Sequence, residues 1–340
     1  MVNWYESKET DLSPIISSRV RLARNLAGYP FSARIAEGEA AAMINEVKNA
    51  APDFPFIELS KESRAEQMSM VENHDISPEI LSIGSKRPVG LLKGTTPGTG
   101  IMLGEEDHIR IQAITPGADL ENAYNIATKI DDYLEISLKY AYHKDFGYLT
   151  SCPTNTGTGL RASFMVHIPL LEKSGNLQRI VTGLSKIGMT VRGLYGEGSK
   201  PFGSIYQLSN QVTLGKSEEE IINALNQTSE QLQESEHTLL KNAFTNNPTE
   251  MEDMIFRALG LLTHARKLTL NEAMENLSII RVGLLSGILG KLDSPIYSIM
   301  MNIEPGNLQK RAGGHLSESD IRIERAKYLR EVFVNSTGGI

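Results

Sequence analysis

Five arginines and two glutamates sit where strands or glycine loops would aim them at a shared ligand. Arg19 and Arg21 alternate with Val20 and Leu22 in ISSRVRLARN, and Arg110 alternates with Ile109 and Ile111 in GEEDHIRIQAI. Arg161 opens RASFMVHIP, and Arg192 lies in MTVRG. One arginine on a strand is ordinarily a solvated surface residue. Five, each beside a glycine, serine or carboxylate, suggest a fan of guanidiniums, whose planar forks match phosphate oxygens and stay charged. In-line phosphoryl transfer asks for little beyond such positioning and charge neutralisation, with Mg2+ supplying the remainder. Glu106 shares a strand face with Arg110, and Glu197 lies in the glycine loop RGLYGEGS. Two acids near phosphate are unfavourable unless something positive lies between them. A guanidinium acceptor meets that need, and its pKa, above ~12, calls for a positioned base.

The stretch SCPTNTGTGLRAS, residues 151–163, holds the one cysteine, Cys152, with Gly157, Gly159 and Arg161. Three chemistries compete for it. A nucleophilic cysteine wants a histidine base and an orienting group, and none of the seven histidines is tied to it by sequence. Gly157, Gly159 and Ala162 fit a dinucleotide fingerprint, which requires a helix to follow, whereas RASFMVHIP alternates like a strand. The third reading is a site for phosphate and a cationic acceptor, where a thiolate would help place the positive group. A lone cysteine is usually a small buried hydrophobe; the polar, glycine-rich surroundings favour a place in the site. LGKS at 214–217 ends like a Walker loop, but Asn210 stands where the earlier glycine belongs.

These residues need a scaffold, and 340 residues suffice for one large or two ordinary domains. With 40% hydrophobic and 22% charged residues the composition is that of a soluble globular protein. No apolar run is long enough to span a bilayer, and the polar start MVNWYESKETDLSP lacks a signal-peptide core. A single cysteine fits a reducing cytoplasm, and the net charge of −7 argues against direct nucleic-acid binding.

The spacing predicts strands over the arginine segments, a helix over 38–50, a long helix over 118–143 opened by Asp119, and helix over 170–186. MTVRGLYGEGSKPFGSIYQLSNQVTL reads as strand, loop, strand. Capping boxes are expected at Ser217…Glu220, Thr249…Glu252 and Thr269…Glu272, with NNPT at 246–249 as a breaker. Residues 1–225 therefore read as a mixed domain that carries the site and 226–340 as an all-helical second domain, of a kind that either serves dimerisation or regulation or merely packs.

With those motifs in place the chain resembles the ATP:guanido phosphotransferase family, which includes arginine and creatine kinases, and within it the bacterial protein-arginine-kinase branch. SSRVRLARN, GEEDHIR, CPTNTGTGLRAS and VRGLYGEGS followed by IYQLSNQVTLG carry the resemblance, in the family's order, across residues 17–215. The resemblance implies an α+β fold: an antiparallel sheet flanked by helices, of the guanido-kinase and glutamine-synthetase kind, followed by an all-α domain. It implies Mg-ATP as the phosphate donor, with Arg19, Arg21, Arg110, Arg161 and Arg192 on its phosphates. Glu106 would be the base, Glu197 the second carboxylate, and Cys152 the residue beside the guanidinium. Small-molecule members carry a helical domain ahead of the Arg-Val-Arg motif; here that motif begins at residue 19, and the expectation is an open site suited to arginines on proteins. Lys200, in the Glu197 loop, would either repel a cationic acceptor or neutralise the loop.

The branch also has a C-terminal Arg-Asp-x-x-Arg-Ala motif that binds phosphoarginine. The corresponding stretch here is DIRIERAKYLRE, in which Ile323 follows Arg322 and Arg325-Ala326 arrives one residue early. Arg322 and Arg325 are the residues left to form such a receptor. By the same resemblance the partners would be protein substrates including a heat-shock transcriptional repressor, a zinc-binding activator, an AAA+ unfoldase and a second copy of the chain. Two other readings share the motifs: a kinase of free arginine or another small guanidine, and a non-catalytic module that binds nucleotide or phosphoprotein.

Overall fold

The computed structural model describes residues 3–193 and 202–336. Its centre is an antiparallel sheet made of β1 (Ile15–Arg24), β2 (Phe56–Glu58), β3 (Gly90–Lys93), β4 (Thr99–Leu103), β5 (Ile109–Pro116), β8 (Leu160–His167), β9 (Met189–Gly193) and β10 (Ile205–Asn210). The strand order is β2-β3-β4-β5-β1-β8-β10-β9, while β6 (Tyr142–His143) and β7 (Gly147–Tyr148) form a separate hairpin.

Alternation along each strand gives the sheet two unlike faces. One is aliphatic: Val20, Leu22, Ile109, Ile111, Leu160 and Phe164 are almost wholly buried. They pack with α1 (Glu37–Ala50), α4 (Leu120–Glu135) and α7 (Glu218–Asn246) in one hydrophobic cluster. Burying each such side chain contributes roughly 1.5–3 kcal/mol, so this face carries much of the fold.

The other face is apolar only at its two ends. At one end Leu91 and Met102 pack with Val71, Ile76 and Ile80, the residues of α2 (Arg64–Glu72), α3 (Pro78–Gly84) and the segment joining them. At the other, Ile16, Ile114 and Ile205 pack under α8 (Pro248–His264), α9 (Leu270–Ser286), α10 (Ile296–Asn302) and α12 (Glu318–Ser336). Between these two covers the face is polar. The remaining helices are α5 (Pro169–Lys173), α6 (Leu177–Lys186) and α11 (Pro305–Ala312), and α11 lies against α2. No helix among the described residues is long and apolar enough to cross a membrane.

Several elements depart from the sequence expectation. The helix expected over 118–143 stops at Glu135, because Ala27 N donates to Lys139 O and Ala141 N to Asn25 O, which draws the chain into the hairpin. The helix expected over 170–186 is broken at Gly175, whose φ of 73° favours glycine. Thr249 is not a cap: α8 starts at Pro248, with Asn247 before it. Ser217 and Thr269 do cap, each accepting from the backbone N–H three residues on. Residue 226, the expected start of the helical part, falls inside α7. Ile221, Leu225 and Leu232 of that helix belong to the sheet's core, and the chain is not broken until Asn247-Pro248.

Candidate active site

Strand register decides what faces the polar middle. Across antiparallel partners, side chains directly opposite share a face. Arg21 pairs with Arg161 on β8 and with Gln112 on β5, Ala23 pairs with Arg110, and Arg19 pairs with Ser163. Arg192 pairs with Gln207, which itself pairs with Met165 on β8, two residues from Ser163. Four strands thus aim Arg19, Arg21, Arg110, Arg161 and Arg192 to one side. All five line a single cleft of about 560 Å³ together with Glu106 and Cys152. Of the residues expected at the transfer site, Glu197 lies outside the described residues, as does Lys200.

The fan is crowded with like charge. Burial and the nearby Arg110 and Arg161 push the Arg19 guanidinium down to about 10. Arg21 is pushed down further by burial and by Arg19, Arg110 and Arg161, against the pull of Glu105. Guanidiniums do not give up their protons at neutral pH, so these shifts record the cost of burying charge first and mutual repulsion second, and a bound polyanion would offset both. Arg19 Nη2 donates to Gln207 Oε1 at 2.6 Å, and Arg21 Nε has no hydrogen-bond partner among the described residues.

The carboxylates come from the turn joining β4 and β5. Glu105 points inward, 3% exposed, and its carboxylate lies 2.5 Å from Arg110 Nη2 while accepting from Ser77 Oγ at 2.5 Å. Glu106 points outward, 3.6 Å from the same Arg110 nitrogen, and accepts from Asn155 Nδ2 at 3.3 Å. Burial raises Glu106 above the ordinary carboxylate range; Arg110 pulls it down, while Asp107 and Glu105 raise it. A carboxylate so tuned is more basic than a solvated glutamate.

Asp107, in the same turn, joins the two loops of the site. Its Oδ1 accepts from Asn25 Nδ2 and from Ser151 N, each at 2.7 Å, and so fixes the loop that carries Cys152 beside Glu106. Cys152 is half-buried, its Sγ 3.0 Å from Thr154 Oγ1. The glycines of that loop serve close packing. A Cβ on Gly159 would stand 2.6 Å from Ala23 O, and its φ is 65°. Strand β8 follows directly, which excludes the dinucleotide turn, where a helix must come next. No cluster of three metal-ligating side chains occurs among the described residues.

The cleft also holds residues that the motifs did not flag. Glu105 was overshadowed by its neighbour, and Gln112 and Gln207 carry no charge to mark them. His74 reaches the cleft from the turn after α2, its carbonyl accepting from Gln112 Nε2 at 2.6 Å and its φ at +62°. Burial and the fan (Arg19 first, then Arg21) hold its imidazole down at about 3, so it is neutral. A positive φ at a histidine was the one local oddity that could have drawn notice, and it is invisible in sequence.

Arg322 and Arg325 do not meet in an anion site. Arg325 is 2% exposed, with Nε donating to Ile303 O at 2.9 Å and Nη1 to Leu268 O at 3.0 Å. Arg322 lies near the surface, paired with Glu318. The two guanidiniums thus sit in unlike surroundings, one committed to interior carbonyls and one paired at the surface.

Comparison with known proteins follows the same division of the chain. Residues 36–239 match the family model for the ATP:guanido phosphotransferase C-terminal catalytic domain, and residues 248–338 that for the protein-arginine kinase McsB C-terminal domain. The chain is 41% identical over 346 residues to the protein-arginine kinase of Clostridium kluyveri, covering 99% of this chain and 100% of that protein. With the protein-arginine kinase of Bacillus pumilus it shares 39% identity over 338 residues, 96% of this chain and 92% of the relative. Among solved structures, lombricine kinase has the same fold: TM-score 0.60 at 22% identity, covering 71% of this chain and 70% of that one.

Proposed function

The chain belongs to the ATP:guanido phosphotransferase family, and from that premise we propose that it is a protein-arginine kinase. It moves the γ-phosphoryl group of ATP to arginine side chains of proteins. The observation that carries this reading is the near full-length likeness to protein-arginine kinases, including the C-terminal helical part that follows residue 247.

The cleft suits that chemistry. Arg19, Arg21, Arg110, Arg161 and Arg192 hold the triphosphate and neutralise the charge that gathers as the bond to the leaving oxygen breaks. Mg2+ enters with ATP as part of the substrate, held by phosphate oxygens and water, as is usual for this ion. An acceptor guanidinium sits between Glu106 and Cys152, with Glu197 as the second carboxylate. Its nitrogen attacks the γ-phosphorus, the bond from phosphorus to the β,γ-bridging oxygen breaks, and Glu106 takes the guanidinium proton. Products are phosphoarginine and ADP. We assign the boundary between catalytic and helical parts to the α7–α8 junction. We further propose a cytoplasmic enzyme of the stress response that acts as a homodimer. Its partners are a heat-shock repressor as substrate, a zinc-binding activator and an AAA+ unfoldase that receives marked proteins; these rest on the family resemblance.

The test is to incubate the purified chain with Mg-ATP and an arginine-rich unfolded protein, then map phosphate by mass spectrometry at neutral pH, where the P–N bond survives. Phosphate on arginine is expected with wild type. Strong, saturable turnover of free arginine without protein labelling would instead make the chain a small-guanidine kinase. Nucleotide binding with no transfer to any acceptor would make it a binding module.

A further inference from the structure

The arginine face is covered at both ends, and the two covers are fastened to each other away from the sheet. Helix α2 leads into the cleft: Val71, His74, Ile76 and Ser77 all line it. Between Val71 and His74 stands Glu72, 3% exposed, which turns away from the cleft toward the C-terminal helices. Its two carboxylate oxygens accept from the backbone N–H groups of Gly306, at 2.6 Å, and Asn307, at 2.7 Å, the first turn of α11. A helix N-terminus leaves these N–H groups without partners of its own, and a carboxylate there is favoured by the helix dipole.

The fit around this cap is close. A Cβ on Gly306 would stand 2.7 Å from both Met68 Cβ and Ser69 N, so α2 and α11 approach as nearly as their backbones allow. Asn307 binds α2 twice over, its Oδ1 accepting from Ser69 Oγ at 2.6 Å and its Nδ2 donating to Asn73 Oδ1 at 3.1 Å. The turn beyond is held by the same last turn of α2: His74 N donates to Val71 O at 3.0 Å and Asp75 N to Met70 O at 2.9 Å. Any shift of α2 relative to α11 therefore moves His74, whose left-handed backbone must be imposed by its surroundings.

We infer that Glu72, by capping α11, is a positioning residue that fixes the His74 wall of the cleft and makes the C-terminal helices part of the nucleotide site. The inference rests on the reading that the cleft holds ATP. Glu72 touches no reacting atom; it acts through the turn it anchors. Loosening it should weaken nucleotide capture while leaving the transfer machinery on the sheet intact.

The test uses the full chain and two variants of different kind. Glu72→Ala removes the cap, and Gly306→Ala, a position without positive φ, forces the helices apart without changing charge. In each, the KM for Mg-ATP should rise about tenfold, the scale felt when a supporting outer contact is lost, with kcat within about twofold of wild type. Amide hydrogen exchange at His74, Asp75 and Ile76 should quicken in both variants without nucleotide, and Glu72→Gln, which keeps an acceptor oxygen, should restore part of each effect. Lys310→Ala, which removes the exposed pair with Glu66 at the rim of the same contact, should leave KM within about twofold. Unchanged exchange at residues 74–76 together with unchanged KM overturns the inference. So does a loss of melting temperature with kcat and KM both at wild-type values, which would make the cap structural only. A wild-type chain that binds no Mg-ATP by calorimetry defeats the nucleotide reading itself, whatever the exchange data show.

Discussion

Two groups of arginines in this chain differ both in burial and in what meets them. Arg24, Arg281 and Arg325 are at most 2% exposed, and each is met by fixed protein oxygens or a ring nitrogen. Arg24 holds Asp131 at 2.6 Å and Thr158 O at 3.0 Å and stacks over Tyr148. Arg281 reaches His167 Nδ1 at 2.7 Å and the carbonyls of Thr10 and Ser13. The fan is built differently, from half-buried guanidiniums that stand beside one another on neighbouring strands. Arg19 and Arg21 are pushed down first by burial and then by neighbouring guanidiniums, Arg161 among them, and the carboxylates on that face, Glu105 and Glu106, both lie by Arg110. The interior arginines hold the fold; the fan gathers like charge along a cleft.

The largest effect is expected on the acceptor side. Glu106→Gln should lower kcat by about 10²–10⁴, the worth of a positioned base, while Mg-ATP binding is retained. The pH profile sharpens the same point. Glu106 must be charged to take a proton, and its pKa is raised, so kcat should fall on acidification starting above the ordinary glutamate range. A profile flat through the mildly acidic region would remove Glu106 from that role.

Next in size is a stability effect confined to the interior group. Arg24→Ala leaves Asp131 buried and unpaired and should cost about 3–5 kcal/mol in denaturant unfolding. The same change at Arg21 relieves repulsion and should leave the melting temperature unchanged or higher. A smaller effect is expected at the acceptor loop. Cys152→Ser should reduce kcat/KM for the protein substrate on the order of tenfold, about one charge-assisted contact, without altering ATP binding. Unchanged turnover would make the cysteine a packing residue. Least of all, Arg322→Ala, which removes one exposed pair, should shift stability by no more than about 0.5 kcal/mol.

The sequence displayed the residues of the fan but not their convergence. Alternation with Val20, Leu22, Ile109 and Ile111 marks Arg19, Arg21 and Arg110 as leaving the aliphatic face, and this much is local. That Arg161 stands opposite Arg21 depends on pairing between strands 140 positions apart in the chain, which no local pattern records. The interior arginines were hidden for the same reason. Arg325 looks like half of a receptor motif until Ile303 and Leu268 are seen to supply its carbonyl partners. Long-range docking also overruled local signals in the helices. Apolar spacing continued past Glu135, yet pairing with Asn25 and Ala27 ended α4 there, and Glu72 gains its role only because α11, more than 230 positions on, is laid against it.

The most direct test is calorimetric titration of Mg-ATP into wild-type chain and Arg21→Ala, with a melting curve recorded for each. The contrast between the two arginine groups predicts a variant at least as heat-stable as wild type whose affinity for Mg-ATP is lower by about 10–100-fold, the loss of one strong charged contact. A variant that binds Mg-ATP as wild type does, or that loses its fold as Arg24→Ala is expected to, would show that the fan serves the structure and not the nucleotide.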